Sequence, residues 1–261
     1  MISLTDKPYA FANPVDLGIW QALQEVKDAV ESGSSVVPTG PINIYVSTTG
    51  NDLNDGKTLE TAFRTVTRAV IESEKLINSY YRTIINIDAG DYSAEGFLQF
   101  SISPARSRDQ SHPLVLKSIS NVSTDVILPS INIFSGAMTL ISVTVKGTYF
   151  GYGLSAYNSG GIYATDLITL NITRTPLYTY NYGWLSIENL HVKDSTIPNY
   201  SGVCVAAGLS NIDISGTMQN TNSTGPRYLV DGLSIIETYG QGENYLPGTT
   251  AGTATRGGIY A

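Results

Sequence analysis

Charge is scarce in this chain of 261 residues: Asp, Glu, Lys and Arg together make up 14 %, against a hydrophobic share of 42 %. Helix-rich domains usually dress their exposed faces with Lys and Glu, so the shortage argues against a helical body. The charge present leans negative, to a net −7. That argues against a nucleic-acid partner, because neutralising phosphates takes clustered Lys and Arg. No run of about 20 apolar residues occurs, so no membrane insertion is expected. The opening Met1-Ile2-Ser3-Leu4-Thr5-Asp6-Lys7 has neither a basic nor an apolar region and does not read as a secretory signal. Cys204 is the one cysteine, which rules out an intrachain disulfide. Between Val203 and Val205 it reads as a small buried hydrophobe. Only His112 and His191 could join a metal site, and neither has a carboxylate at motif spacing. No cofactor is expected.

What fills the chain instead is β-branched residues, Gly and Asn, which suit strands joined by tight turns. An all-β body follows. Before it, residues 1–41 hold a short helix and a linker. Asn13-Pro14 reads as an N-cap with Pro at the first helical position, and Ile19, Leu23, Val26 and Val30 recur at helical spacing. Gly33 and the Pro38–Pro41 stretch end that element. Its apolar stripe needs a partner, and an intermolecular role is expected.

From Ile84 onward short apolar strands recur, among them Ile131-Asn132-Ile133, Leu140–Val145, Leu167–Ile172, Leu185–Leu190, Leu209–Ile214 and Leu233–Ile236. The starts from Leu140 fall 27, 18, 24 and 24 residues apart. Sandwich strands usually recur every 8–12 residues. A period of roughly 20–25 suits one coil of a solenoid with parallel strands. Inside each strand apolar residues alternate with Ser, Thr, Asn, Asp or Glu, giving one buried and one wet face.

The stretch Ile42–Arg82 is a strand, a turn-rich loop and an amphipathic helix near 63–77, with Phe63, Val66, Val70 and Ile77 along one stripe. Asp52, Asn54 and Asp55 before Gly56 lack the spacing and closing Glu of an EF-hand, so hydrogen-bonded Asx turns are expected there. The run Tyr45–Gly56, followed by Ala62-Phe63-Arg64-Thr65-Val66 and Ala69-Val70, resembles the opening of pectate-lyase-like β-helices. The resemblance implies a right-handed parallel β-helix over 42–239, with the helix near 63–77 capping its N-terminal end. Its usual Pro before the Phe is Ala62 in this chain. Residues 228–233, 244–253 and 257–261 are similar to the C-terminal end of many phage tail-fibre and tailspike proteins. There the resemblance implies that a tail, here 240–261, closes the last coil against two sister chains of a homotrimer. Fold alone does not fix activity, because such coils include lyases, hydrolases and inert shafts.

No phosphate loop or Ser/Cys–His constellation is visible. Paired carboxylates remain as candidates for glycan hydrolysis. If Ile187 and Ile212 stack on adjacent coils, Glu188 and Asp213 point outward about 4.8 Å apart at the backbone, close enough to raise one pKa. They also suit an ordinary wet face paired with Lys193. Lys146, Arg174 and Lys193 follow successive core strands and read as a basic line or a solvated flank. Seventeen Tyr against six Phe is an unusual ratio, since the phenol prefers a half-wet place. Tyr178, Tyr180 and Tyr182 alternate and share one face if extended, with Trp184 beside them, in what read as turns between coils. They suit either a stacking platform for sugars or an interface between chains. The expectation is a phage tailspike or tail-fibre protein of the virion tail. Its N-terminal segment attaches to a tail or adaptor protein, and its loops bind a host-surface polysaccharide. A glycan depolymerase and a purely structural spike are the alternatives.

Overall fold

In the computed structural model of the protein, residues 41–76, 82–101, 114–148 and 150–261 are described. The expected N-terminal helix, Ile77 and His112 lie outside them. The described chain is all-β apart from one α-helix and one short 3-10 turn at Ser93–Glu95.

The strands begin with β1 (Ile42–Val46), β2 (Thr83–Ile87), β3 (Gly90–Asp91), β4 (Leu98–Phe100), β5 (Leu114–Ser118) and β6 (Val126–Leu128). There follow β7 (Ile131–Ile133), β8 (Ala137–Ile141), β9 (Thr144–Lys146), β10 (Tyr152–Tyr157), β11 (Gly161–Leu170) and β12 (Thr175–Tyr180). Last come β13 (Trp184–Lys193), β14 (Cys204–Ala207), β15 (Asn211–Thr221), β16 (Tyr228–Asp231), β17 (Ile235–Glu237), β18 (Thr253–Thr255) and β19 (Ile259–Tyr260). Every ladder among them is parallel.

They form a 12-stranded sheet running β1-β2-β5-β8-β11-β13-β15-β17-β19, with β3, β6 and β9 alongside. A seven-stranded sheet runs β18-β16-β14-β12-β10-β7-β4. Successive coils thus add a strand to each sheet in turn, a parallel β-solenoid of about six turns.

The alternation read from the sequence becomes columns in the interior. On the larger sheet Ile44, Ile85, Leu116, Leu140, Ala164, Ile187 and Ile214 stand one above another, each 3 % exposed or less. On the smaller sheet the column is Leu98, Ile131, Leu154, Leu177, Cys204 and Tyr228. Cys204 is fully buried there, and burial pushes its thiol pKa up, so it packs as a hydrophobe.

Three bends separate the strands of each coil, and each is a stack of residues in the left-handed region. One holds Ser142, Asp166, Asn189 and Gly216; a second holds Asn171, Asp194 and Asn222. The third uses adjacent pairs, Asn158-Ser159, Asn181-Tyr182, Gly208-Leu209 and Gly232-Leu233. Asn and Asp tolerate this conformation because their short side chains bond locally. Here they also bond between coils: Asn181 donates to Asn158 at 2.6 Å, Asn189 to Asp166 at 2.9 Å and Asn222 to Asp194 at 3.1 Å.

These bends explain the uneven 27- and 18-residue spacing. Leu140 and Leu185 belong to the arm before the first bend, whereas Leu167 lies in the arm after it. Leu209 and Leu233, read as strand starts, are exposed bend residues, and the strands begin two residues later.

The helix α1 spans Val66–Leu76 and packs against β1 and β2, burying Val66, Ala69 and Val70. It starts later than 63 because its N-terminus is capped from outside. Asp52 accepts from the amides of Arg64 and Thr65 at 2.9 Å, and Thr65 Oγ1 accepts from Arg68 at 3.1 Å. Glu95 accepts from Val66 and Thr67 at 2.9 and 2.8 Å, placing a carboxylate at the positive helix end. Phe63 instead bridges to Val46 and is buried. Gly56, at φ 68°, leaves the room its ring needs: a Cβ there would fall 2.4 Å from the ring. Of the three residues expected in Asx turns, Asp55 forms one, accepting from Lys57. Asp52 instead caps α1 and Asn54 donates to the Ala62 carbonyl at 3.0 Å, while Asn51 makes a second Asx turn by accepting from Leu53.

At the other end, residues 240–261 form one more rung. β18 pairs with β16, and β19 pairs with β17. The Tyr228 and Tyr260 rings stack at 4.0 Å, and Tyr260 donates to the Gly242 carbonyl at 3.0 Å.

Candidate binding face

The outward positions differ between the sheets. On β12 the alternation puts Leu177 and Thr179 inside and Tyr178 and Tyr180 outside. Tyr178 stands beside Ser155 of β10 and Val205 of β14; Tyr180 stands beside Tyr157 and Ala207. Tyr178 and Tyr180, expected in turns between coils, are therefore strand residues. Tyr152, Tyr157, Tyr163, Tyr178 and Tyr180 all lie within strands, because period-two alternation suits a ring on the wet side.

Their rings form a cluster of their own. Tyr178 lies 5.2 Å from Tyr152 and 5.6 Å from Tyr157 in tilted geometry, and Tyr157 stacks on Phe134 at 5.2 Å. Ser155 and Val205 point outward yet are buried, at 0 % and 5 % exposure, in the same column as Tyr178. Burial raises the phenol pKa of Tyr152 and Tyr157 and pushes that of Tyr178 up to about 12. All three stay neutral donors at ordinary pH.

The four predicted ligand residues do not form one surface. Tyr178 and Tyr180 share a face, but Asn181 and Tyr182 are left-handed at φ 53° and 67°, and that bend ends the strand. Tyr182 is 57 % exposed on the bend. Trp184 opens β13 in the other sheet and lies flat over Gly161, where a Cβ would fall 1.8 Å from the indole.

What spacing could not reveal is a groove of about 180 Å³ beside Tyr178, lined by Tyr152, Arg174, Tyr200, Ser201 and Val205. Arg174 lies 4.7 Å over the Tyr152 ring. Among the described residues its guanidinium has no ion pair or hydrogen-bond partner. Tyr200 is 74 % exposed. The basic line does not hold together: Lys146 and Lys193 share one column through Leu170, whereas Arg174 lies beyond the Asn171 bend.

The two candidate carboxylates share the outer face of the 12-stranded sheet but are not register neighbours. Glu188 pairs with Ser215, and Asp213 with Ser186. Ile187 stacks on Ile214, not Ile212, because the coil carrying the Tyr200 loop is two residues longer than the assumed alignment allowed. Glu188 accepts from the Tyr163 hydroxyl at 3.2 Å. On its other side Asp213 stands beside Glu237. Burial raises the Asp213 pKa, a hydrogen bond from Asn211 at 3.0 Å opposes the rise, and Glu237 adds to it. A second groove, of about 380 Å³, runs along the first bend past Asp166, Asn189 and His191. His191 shares a hydrogen bond with Thr221 at 2.8 Å, and burial lowers its pKa.

Compared with known proteins, the chain matches no family model, no curated protein and no solved structure.

Proposed function

We propose that this protein recognises a polysaccharide on a host cell surface, as a tailspike or tail-fibre component of a phage virion tail. The observation that carries the reading is the outward tyrosine cluster around Tyr178 with its adjoining groove. Phenol rings offer flat faces for sugar C–H groups and neutral hydroxyls for sugar oxygens. A rigid β-solenoid holds them on strands, so binding costs little ordering. The coil is read as right-handed, as parallel crossover connections overwhelmingly are. In this reading α1 caps its first rung, the segment 1–41 attaches to a tail or adaptor protein, and 240–261 meets sister chains in a homotrimer.

The test is retention of the intact protein on an array of bacterial capsule and lipopolysaccharide glycans, together with an assay for new reducing ends or unsaturated sugars. The expected result is retention without product, reduced at least tenfold by Tyr178→Ala. Retention unaffected by Tyr178→Ala would remove this face from the reading. A glycan depolymerase is the second reading, favoured by the raised Asp213 beside Glu237, an arrangement suited to a general acid. Product formation abolished by Asp213→Asn would establish it in place of simple binding.

A further inference from the structure

We infer that the groove beside Tyr178 is a subsite for an acidic sugar, whose carboxylate is taken by Arg174. This rests on the polysaccharide-binding reading and adds the chemical class of the ligand.

Three observations converge on it. First, Arg174 is a cation without an anion: among the described residues no carboxylate pairs with it, although the chain has an excess of acidic residues. Second, the one carboxylate lining the groove, Asp231, is already committed. Arg256 holds it through Nε and Nη2, Thr255 donates to it at 2.8 Å, and its pKa is held down at about 2. Its charge is thereby matched by Arg256, so the groove is left with the positive charge of Arg174. Third, the guanidinium is placed as a binding group. It rests on the Tyr152 ring at 4.7 Å and is close enough to influence the phenols of Tyr152, Tyr157 and Tyr178.

A planar guanidinium fork matches a carboxylate in a two-pronged geometry that an ammonium cannot reproduce. A pyranose ring with a carboxylate then has both contacts at hand: the fork for the acid group, and Tyr178 or Tyr200 for the ring. The groove, of about 180 Å³, is smaller than the roughly 300–1,000 Å³ of an ordinary ligand pocket, which suits a subsite for part of a glycan. The net charge of −7 does not forbid this ligand, because charges farther than about 8 Å are largely screened at physiological ionic strength.

The experiment measures retention of the full chain on immobilised polygalacturonate, alginate and polysialic acid, on their carboxyl-reduced forms, and on neutral dextran and mannan. Arg174→Gln, Arg174→Lys and Tyr178→Ala are run beside the wild type, with thermal unfolding as a check on folding. Retention on at least one acidic polymer is expected, lost at least tenfold on carboxyl reduction. An equal loss is expected in Arg174→Gln, with a partial loss in Arg174→Lys and a decline as salt is raised. Retention confined to neutral glycans and sensitive to Tyr178→Ala would overturn the acidic subsite while leaving the polysaccharide reading in place. Acidic retention indifferent to Arg174→Gln would overturn the role of Arg174. No retention on any member would overturn both.

Discussion

The outer face of the 12-stranded sheet and the outer face of the seven-stranded sheet are built on the same rungs and backed by one continuous core. Their outward residues nonetheless differ. On the larger sheet the column through Tyr163, Ser186, Asp213 and Glu237 is mostly polar, and Tyr163, Asp213 and Glu237 bond to nearby groups. On the smaller sheet Tyr152, Tyr157 and Tyr178 build a second, external cluster that buries Ser155 and Val205. The core constrains only the inward parity of each strand, so the outward parity is free to carry chemistry. One face spends that freedom on hydration and the other on rings around Arg174, which has no ion-pair partner among the described residues.

If the core is common, an inward truncation should damage both faces alike. Leu177→Ala, beneath the tyrosines and fully buried, is expected to cost about 2–5 kcal/mol. Urea unfolding followed by far-UV circular dichroism measures it. A local loss confined to tyrosine fluorescence would show that the coils unfold separately. The next largest effect separates the faces. Tyr178→Ala removes two ring contacts worth about 0.5–1.5 kcal/mol each, whereas Glu188→Gln should stay within about 0.5 kcal/mol. Equal costs from the two substitutions would mean that the aromatic cluster adds nothing to the fold.

Much of this contrast was legible in the residue pattern, and the rest was hidden for physical reasons. Ile131-Asn132-Ile133 reads as in-out-in and is so. The shared face of Tyr178 and Tyr180 follows from the same period. Phase was harder, because left-handed bends interrupt strands without interrupting hydrophobicity: Leu209 and Leu233 look like core starts but occupy exposed bends. Register was hidden because the Tyr200 loop lengthens one coil, which moved Glu188 away from Asp213 and put Ser186 in its place. The isolation of Arg174 had no local signal. It depends on the Asn171 bend turning the chain onto the other sheet and on Arg256, far along the chain, occupying Asp231.

The smallest effect expected is a pair of opposite pH slopes, one from each face. On the polar face Asp213 has a folded pKa raised above its usual 3.8, chiefly by burial. Between the two values the folded state binds more protons than the unfolded state, so stability falls as pH rises through that window. On the aromatic face Asp231 is depressed to about 2, chiefly by its hydrogen bond from Arg256. There the unfolded state binds more protons, so the stabilisation is fully present above about 4 and is lost as pH falls towards 2. Asp213→Asn should therefore flatten the decline above pH 3.8, and Asp231→Asn should flatten the decline below it. Melting temperatures collected from pH 2 to pH 7 for the wild type and both variants would display the two slopes. Slopes of the same sign would mean that the carboxylates of the two faces sit in equivalent surroundings, against the division drawn between them.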